Sequence, residues 1–330
     1  FGNWKIVKKI DEGGFGQVYK VCSNSHLPLT KKIAALKAEP TEIEGGSALK
    51  LEMAVIRAIT ADGEKPHVPM VFHAAKRRRF CYMIMTLFGE NLKELRVRFI
   101  DFYHTELART WSRIGIQCLY SVKLVHDYGF VHRDIKPNNF VMGYREDYDR
   151  ARIVHILDFG LSRSYAVQVY KKYVEPLQKE EKWVARRARG TAEFRGTLRY
   201  CSPNVHERKE QGRRDDLWSL YYVLIELHCG LPWQTIRDKQ KVLTLANNIH
   251  ISVELHDIIP HLRTLDYYQR PNYSMFYNGL VAVMKRVGAK ASDPYDWERP
   301  DAVNYIVNPY AWENAAEFFQ SDPIKVNSPP

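Results

Sequence analysis

Up to about residue 86 apolar and polar residues alternate in short runs, and beyond it apolar residues recur mostly at helical spacing. Residues 4–7 and 18–21 alternate on either side of a glycine turn, and 33–37 follow a polar loop. Two more runs, 70–74 and 80–86, flank the basic turn Lys76-Arg77-Arg78-Arg79. All five read as strands. Between the third and fourth, residues 47–60 set Leu49, Met53, Ile56 and Ile59 on one helical face, with Ser47 as N-cap. Farther on, 105–128 carries Leu107, Trp111, Ile114, Cys118, Val122 and Val125 as a core stripe. A second buried helix opens at Asp216 and ends near Gly230, and helical patterns run on to about Gly288. From there the chain reads as irregular, packed or frayed on the surface.

Composition narrows the class. At 330 residues, 45% apolar and without low-complexity tracts, the chain is long enough for one large unit or two lobes. Its apolar runs are too short to span a bilayer. Five cysteines without C-x-x-C spacing fit reduced thiols in a cytoplasmic or nuclear protein. The opening Phe1-Gly2-Asn3-Trp4 has neither initiator Met nor signal pattern, as expected of a domain taken from a longer chain. The net charge of +11 asks for an anionic partner without choosing one.

Candidate chemistry concentrates in two polar clusters. The first is His132-Arg133-Asp134-Ile135-Lys136-Pro137-Asn138-Asn139; the second, Asp158-Phe159-Gly160, follows an apolar run. Two carboxylates, an amide oxygen and a lysine at this spacing suit phosphoryl transfer. One carboxylate orients the attacking hydroxyl, the other holds magnesium with the amide, and the lysine offsets phosphoryl charge.

These clusters resemble the catalytic and magnesium loops of the protein kinases. The resemblance implies an α+β bilobal kinase fold: an antiparallel-sheet N-lobe with one helix (1–86), a hinge and mainly helical C-lobe (87–300), and a C-terminal extension (301–330). It implies Asp134, Lys136 and Thr197 as catalytic groups, Asn139 and Asp158 as Mg2+ ligands, and ATP as the donor. For ATP it implies the turn Gly13, Gly14, Gly16 with Val18, then Ala35, Lys37, its helix partner Glu52, the gatekeeper Met85, hinge groups of Thr86 and Phe88, and Val141. Asp216 should receive backbone N–H groups of the catalytic loop.

Asp11 stands where the glycine-rich pattern has its first Gly, and Asn204 where most kinases carry a Glu paired with Arg. The latter, with Gly196-Thr197-Leu198-Arg199-Tyr200 and Arg213-Arg214-Asp215-Asp216, is similar to the casein kinase I superfamily. Phe194-Arg195 and Tyr295-Asp296-Trp297-Glu298 are most similar to its tau-tubulin kinase branch. The long basic connection after Tyr165 departs from that branch; structureless loops of this length are usually functional or disordered. Arg195, Arg199, Arg213, Arg214 and Lys239 or Lys241 would favour protein substrates with acidic or phosphorylated Ser/Thr sites. Arg133 could pair with a phosphorylated Ser162, Ser164 or Thr191. A monomeric serine/threonine kinase is the leading expectation. A pseudokinase scaffold is the alternative, and nucleic-acid binding lacks a reading motif.

Overall fold

The computed structural model describes residues 1–13, 16–24, 32–41, 46–99, 107–170, 181–246, 251–298 and 314–326. The alternating runs become β1 (Trp4–Gly13), β2 (Gly16–Ser23), β3 (Ile33–Pro40), β4 (Val71–Lys76) and β5 (Phe80–Met85), with α1 (Ala48–Ile59) between β3 and β4. They form one antiparallel sheet in the order β1-β2-β3-β5-β4. Ser47 caps α1, accepting from Lys50 N at 3.0 Å. Gly16 has a steric reason to be glycine, because a Cβ there would lie 2.1 Å from Ala38 O.

Beyond the hinge come β6 (Phe88–Asn91), α2 (Leu92–Phe99), α3 (Leu107–Asp127), β7 (Phe130–Val131), β8 (Phe140–Gly143) and β9 (Val154–Ile156). Strands β6, β8 and β9 make a small sheet that presents the two polar clusters. Helix α3 is central rather than half-exposed: Trp111, Ile114, Cys118, Val122 and Val125 are buried, but so are Arg113, Gln117 and Lys123. These polar groups are satisfied locally. Arg113 donates to Pro294 O at 2.8 Å, and Gln117 to Tyr295 Oη at 2.7 Å.

The connection after Gly160 is built, not structureless, where it is described. It pairs β10 (Arg163–Ser164) with β7, then forms a ribbon of β11 (Ala166–Tyr170) and β12 (Glu181–Ala185). Tyr165, Ala166 and Ala185 bury against Val131, Tyr267, Ile324 and Val326. The remaining helices are α4 (Pro203–His206), α5 (Arg213–His228), α6 (Lys239–Ala246), α7 (Ile258–Thr264), α8 (Tyr273–Arg286) and α9 (Ala315–Gln320). The stretch expected to be irregular after Gly288 packs firmly as far as Glu298, whose carboxylate meets Arg152 Nε at 2.9 Å. In the last described stretch Phe319 is fully buried in the main core.

Candidate active site

Asp216, on the first turn of α5, organises the catalytic loop. Its carboxylate accepts His132 N at 2.7 Å, Arg133 N at 2.9 Å and the His126 ring at 2.9 Å. Burial alone would raise its pKa, but these partners hold it below the usual carboxylate range. Arg133 is thereby held at a left-handed φ of 69°. His132 Nε2 donates to Leu157 O at 3.0 Å, tying the first polar cluster to the second.

Asp134 stands at the centre. One carboxylate oxygen accepts the Thr197 hydroxyl at 2.8 Å, and the other accepts Lys136 Nζ at 2.5 Å. Lys136 also reaches Thr197 Oγ1 at 3.4 Å. Thr197 can come this close because Gly196, at φ 106°, lies against Arg133 O, where a Cβ would approach to 2.7 Å. Asn139 Nδ2 donates to Asp134 O at 2.8 Å, which leaves its amide oxygen for a cation.

Lys37 of β3 meets Glu52 of α1 at 2.6 Å and Asp158 at 3.6 Å. Burial would lower the Lys37 pKa, yet Glu52 and Asp158 outweigh it and hold the amine well above its ordinary value. Asp158 has φ 66° and ψ 67°. Burial pushes its carboxyl up, but Lys37, His132 and Lys136 prevail and hold it low. Phe159 is fully buried, 5.2 Å from the His132 ring. Asp158 and Asn139 are hard oxygen donors and fit Mg2+, which normally retains waters and substrate phosphates beside one or two protein ligands.

Of the other residues expected around a nucleotide, Ala35 lies opposite Met85 and Val18 opposite Lys37, so these sequence-distant positions share one face or one rung of the sheet. Thr86 N–H is taken by Met70 O at 3.0 Å, so only its carbonyl can serve an adenine. Phe88 pairs with Gly143, and Val141 is buried on β8. Gly13 ends β1; Gly14 lies outside the described residues. The Asp11 carboxylate is exposed and accepts Glu12 N at 2.7 Å.

The expected anion set does not share one environment. Arg213 is 2% exposed and donates to Tyr268 O and Val326 O at 2.6 and 2.7 Å, with its guanidinium over Tyr165. A cation so enclosed is a structural clasp, and Arg213 is withdrawn from the substrate surface. Arg214 lies 3.7 Å from Asp215, and Arg195 is 3.0 Å from Glu193. Arg199 is half-buried and Lys241 exposed; the Lys239 side chain lies outside the described residues. Asn204 donates to Asp215 Oδ1 at 3.1 Å.

Two residues escaped the sequence reading. Glu210, 3% exposed, is gripped by Arg189, whose Nη2 is 3.2 Å away, and faces Arg163 at 3.8 Å. Burial raises its pKa, but Arg189 and Arg163 bring it below the ordinary value. Burial and Arg163 lower Arg133 to about 10, with Glu210 opposing, so a carboxylate already serves this arginine cluster. Ser162, a candidate for modification, is buried. His67 is the other: its Nδ1 donates to Val154 O at 2.6 Å while Ile156 N donates to His67 O at 2.9 Å. It therefore staples the α1–β4 connection to the strand leading to Asp158. No local pattern advertised either residue, since each partner is remote in sequence.

Among the described residues no helix is long and apolar enough to cross a membrane. The protein kinase domain family matches residues 4–284. An inactive tau-tubulin kinase of Caenorhabditis elegans is 42% identical over 85% of this chain and 97% of its own length. A putative serine/threonine-protein kinase of the same organism is 37% identical, covering 89% of this chain and 82% of that protein. A putative casein kinase I, also from Caenorhabditis elegans, is 30% identical over 89% and 83%. With the lobes, the paired lysine and the two polar loops in place, the chain belongs to the protein kinase family, in the casein kinase I superfamily and its tau-tubulin kinase-like branch.

Proposed function

We propose that the chain is an active Mg2+- and ATP-dependent serine/threonine kinase. The observation that carries this reading is the pairing of Asp134 with both Thr197 and Lys136. Asp134 is held by its neighbours before any substrate arrives, which is the preorganisation that charge-stabilising catalysis requires. A substrate Ser or Thr hydroxyl would give its proton to Asp134 as its oxygen bonds to the γ-phosphorus. The bond to the β–γ bridging oxygen breaks, and ADP leaves. Lys136 would offset charge on the transferring group, and Lys37, fixed by Glu52, would bind the other phosphates. Asn139 and Asp158 would hold Mg2+, which supplies further neutralisation of phosphate charge.

Arg199, Lys241 and the more exposed part of Arg195 support a preference for acidic or phosphorylated sites. Glu210 amid Arg189, Arg163 and Arg133 supports activity without phosphorylation of the connecting segment. The five free cysteines support a cytoplasmic or nuclear setting.

The second reading is an inactive scaffold, favoured by the name of the 42% identical relative. Incorporation of γ-phosphate from Mg-ATP into an acidic Ser/Thr peptide separates the two. Turnover that disappears in Asp134→Asn supports the kinase; absence of turnover in the unaltered protein leaves the scaffold.

A further inference from the structure

The last described stretch, 314–326, lies beyond residues 4–284 that the protein kinase domain family matches, yet it is built into the molecule at two places. Its first half is seated on the helices. In α9 Phe318 stacks on Tyr120 of α3 with ring centroids 3.8 Å apart, and Phe319 is fully buried, 4.8 Å from the Tyr277 ring of α8. Two cations hold the end of that helix: Arg270 donates to Ser321 O at 2.6 Å and Phe319 O at 3.1 Å, and Lys123 donates to Ser321 Oγ at 3.2 Å. Its second half crosses to the ribbon. Ile324 and Val326 are 4% and 6% exposed, with the exposed Lys325 between them, and they pack with Tyr165, Ala166 and Ala185. Val326 O also accepts Arg213 Nη2 at 2.7 Å.

A two-stranded ribbon is marginally stable by itself, so β11 and β12 need a cover. Ile324 and Val326 supply much of it, since Val131 and Tyr267 are the other buried members of that cluster. From Ala185 the chain runs through Arg189 and Arg195 to Thr197, whose hydroxyl bonds Asp134 at 2.8 Å. We propose that residues 315–326 are a strap: with α9 anchored on α3 and α8, Ile324 and Val326 hold the ribbon and so set the approach of a protein substrate to Asp134. Both are positioning residues that act through the ribbon. The hold follows from packing alone; its consequence for substrate rests on the kinase reading.

Hydrogen exchange on the full chain tests the hold without requiring turnover. In Ile324→Asp with Val326→Asp, amides of 166–170 and 181–185 should exchange at least about tenfold faster, and those of α3 and α8 at nearly the original rate. The alanine pair Ile324→Ala with Val326→Ala buries no charge and should give the same ordering with a smaller change. The volume-keeping exchange Ile324→Val with Val326→Ile should leave the ribbon protected. So should Lys325→Asp, which puts the same carboxylate outward at a left-handed φ of 50° that Asp accepts. Phosphotransfer should show the KM for dephosphorylated casein, an acidic protein, raised at least about fivefold in the aspartate pair, with the KM for ATP within about twofold. Unchanged exchange in the ribbon, or acceleration spread evenly through α3 and α8, would overturn the strap. Faster ribbon exchange with an unchanged KM for casein would overturn its bearing on substrate. Accelerated ribbon exchange in a chain whose unaltered form shows no turnover removes the kinase reading and leaves the strap standing.

Discussion

The catalytic loop at 132–139 and the segment at 163–214 are both rich in charged side chains, and they use them in opposite ways. In the loop the charges converge. Lys136 and Thr197 meet on Asp134, while Asp216 fixes the backbone beneath. In the later segment they divide among separate acceptors: Arg189 and Arg163 face Glu210, Arg213 clasps two carbonyls, and Arg195 meets Glu193. A cluster of like charges in sequence thus says little about a shared site, because each cation is satisfied by whichever acceptor the fold brings nearest. Mixed acids, amides and lysines at fixed spacing say much more.

The largest effect is expected from Asp134→Asn. The amide cannot take the hydroxyl proton, and kcat should fall at least about a hundredfold with the melting temperature little changed. Retention of near-normal turnover would mean that the convergence on Asp134 is structural.

A comparably large effect is expected from acid. Burial lowers the His67 pKa from 6.5 to about 4 despite its bond to Val154 O. Above pH 6.5 both folded and unfolded states are neutral there, and its contribution to stability is fully present. As pH falls from 6.5 toward 4 the unfolded state takes up a proton that the folded state refuses, and stability is lost. At about 1.36 kcal/mol per unit this amounts to about 3 kcal/mol. Urea unfolding at pH 7 and pH 5 should show the loss beginning, and His67→Asn, which tolerates the left-handed backbone at φ 66°, should reduce the slope.

The dispersed segment is tested by two arginines with opposite outcomes. Arg213→Ala should cost on the order of 2–3 kcal/mol of stability by removing charge-assisted bonds to Tyr268 O and Val326 O, without altering preference among folded-enzyme substrates. Arg199→Ala should leave thermal melting within a degree or two and raise KM several-fold for acidic peptides alone. If the two phenotypes were exchanged, Arg213 would belong to the substrate surface after all.

The smallest effect is expected at Asp11. Its carboxylate is solvated and bonded to Glu12 N, so Asp11→Gly should change the KM for ATP by less than about twofold. A larger fall would place that carboxylate beside the phosphates.

Much of the candidate site's framework was legible from the chain. Ser47 and the Leu49-Met53-Ile56-Ile59 stripe located α1, which puts Glu52 at the right turn to meet Lys37. Asp134, Asn139 and Asp158 were legible because loop chemistry is written in adjacent residues. Gly196-Thr197 was readable through its resemblance to the kinase motif, and the structure supplies the steric reason for the glycine. The ribbon after Tyr165 was not, because the burial of its strands depends on Ile324 and Val326 far along the chain. His67 and Glu210 escaped for the same reason.

By itself the sequence determined the periodicities that make the sheet and helices, and the residue types able to orient a hydroxyl and hold a cation. Those properties follow from local backbone geometry and side-chain chemistry. The resemblance already placed Asp216 under the loop, but tertiary contacts alone set Glu210 against the arginines and buried Arg213. Each choice depends on which distant group displaces water from a polar atom, and composition and spacing do not encode that directly.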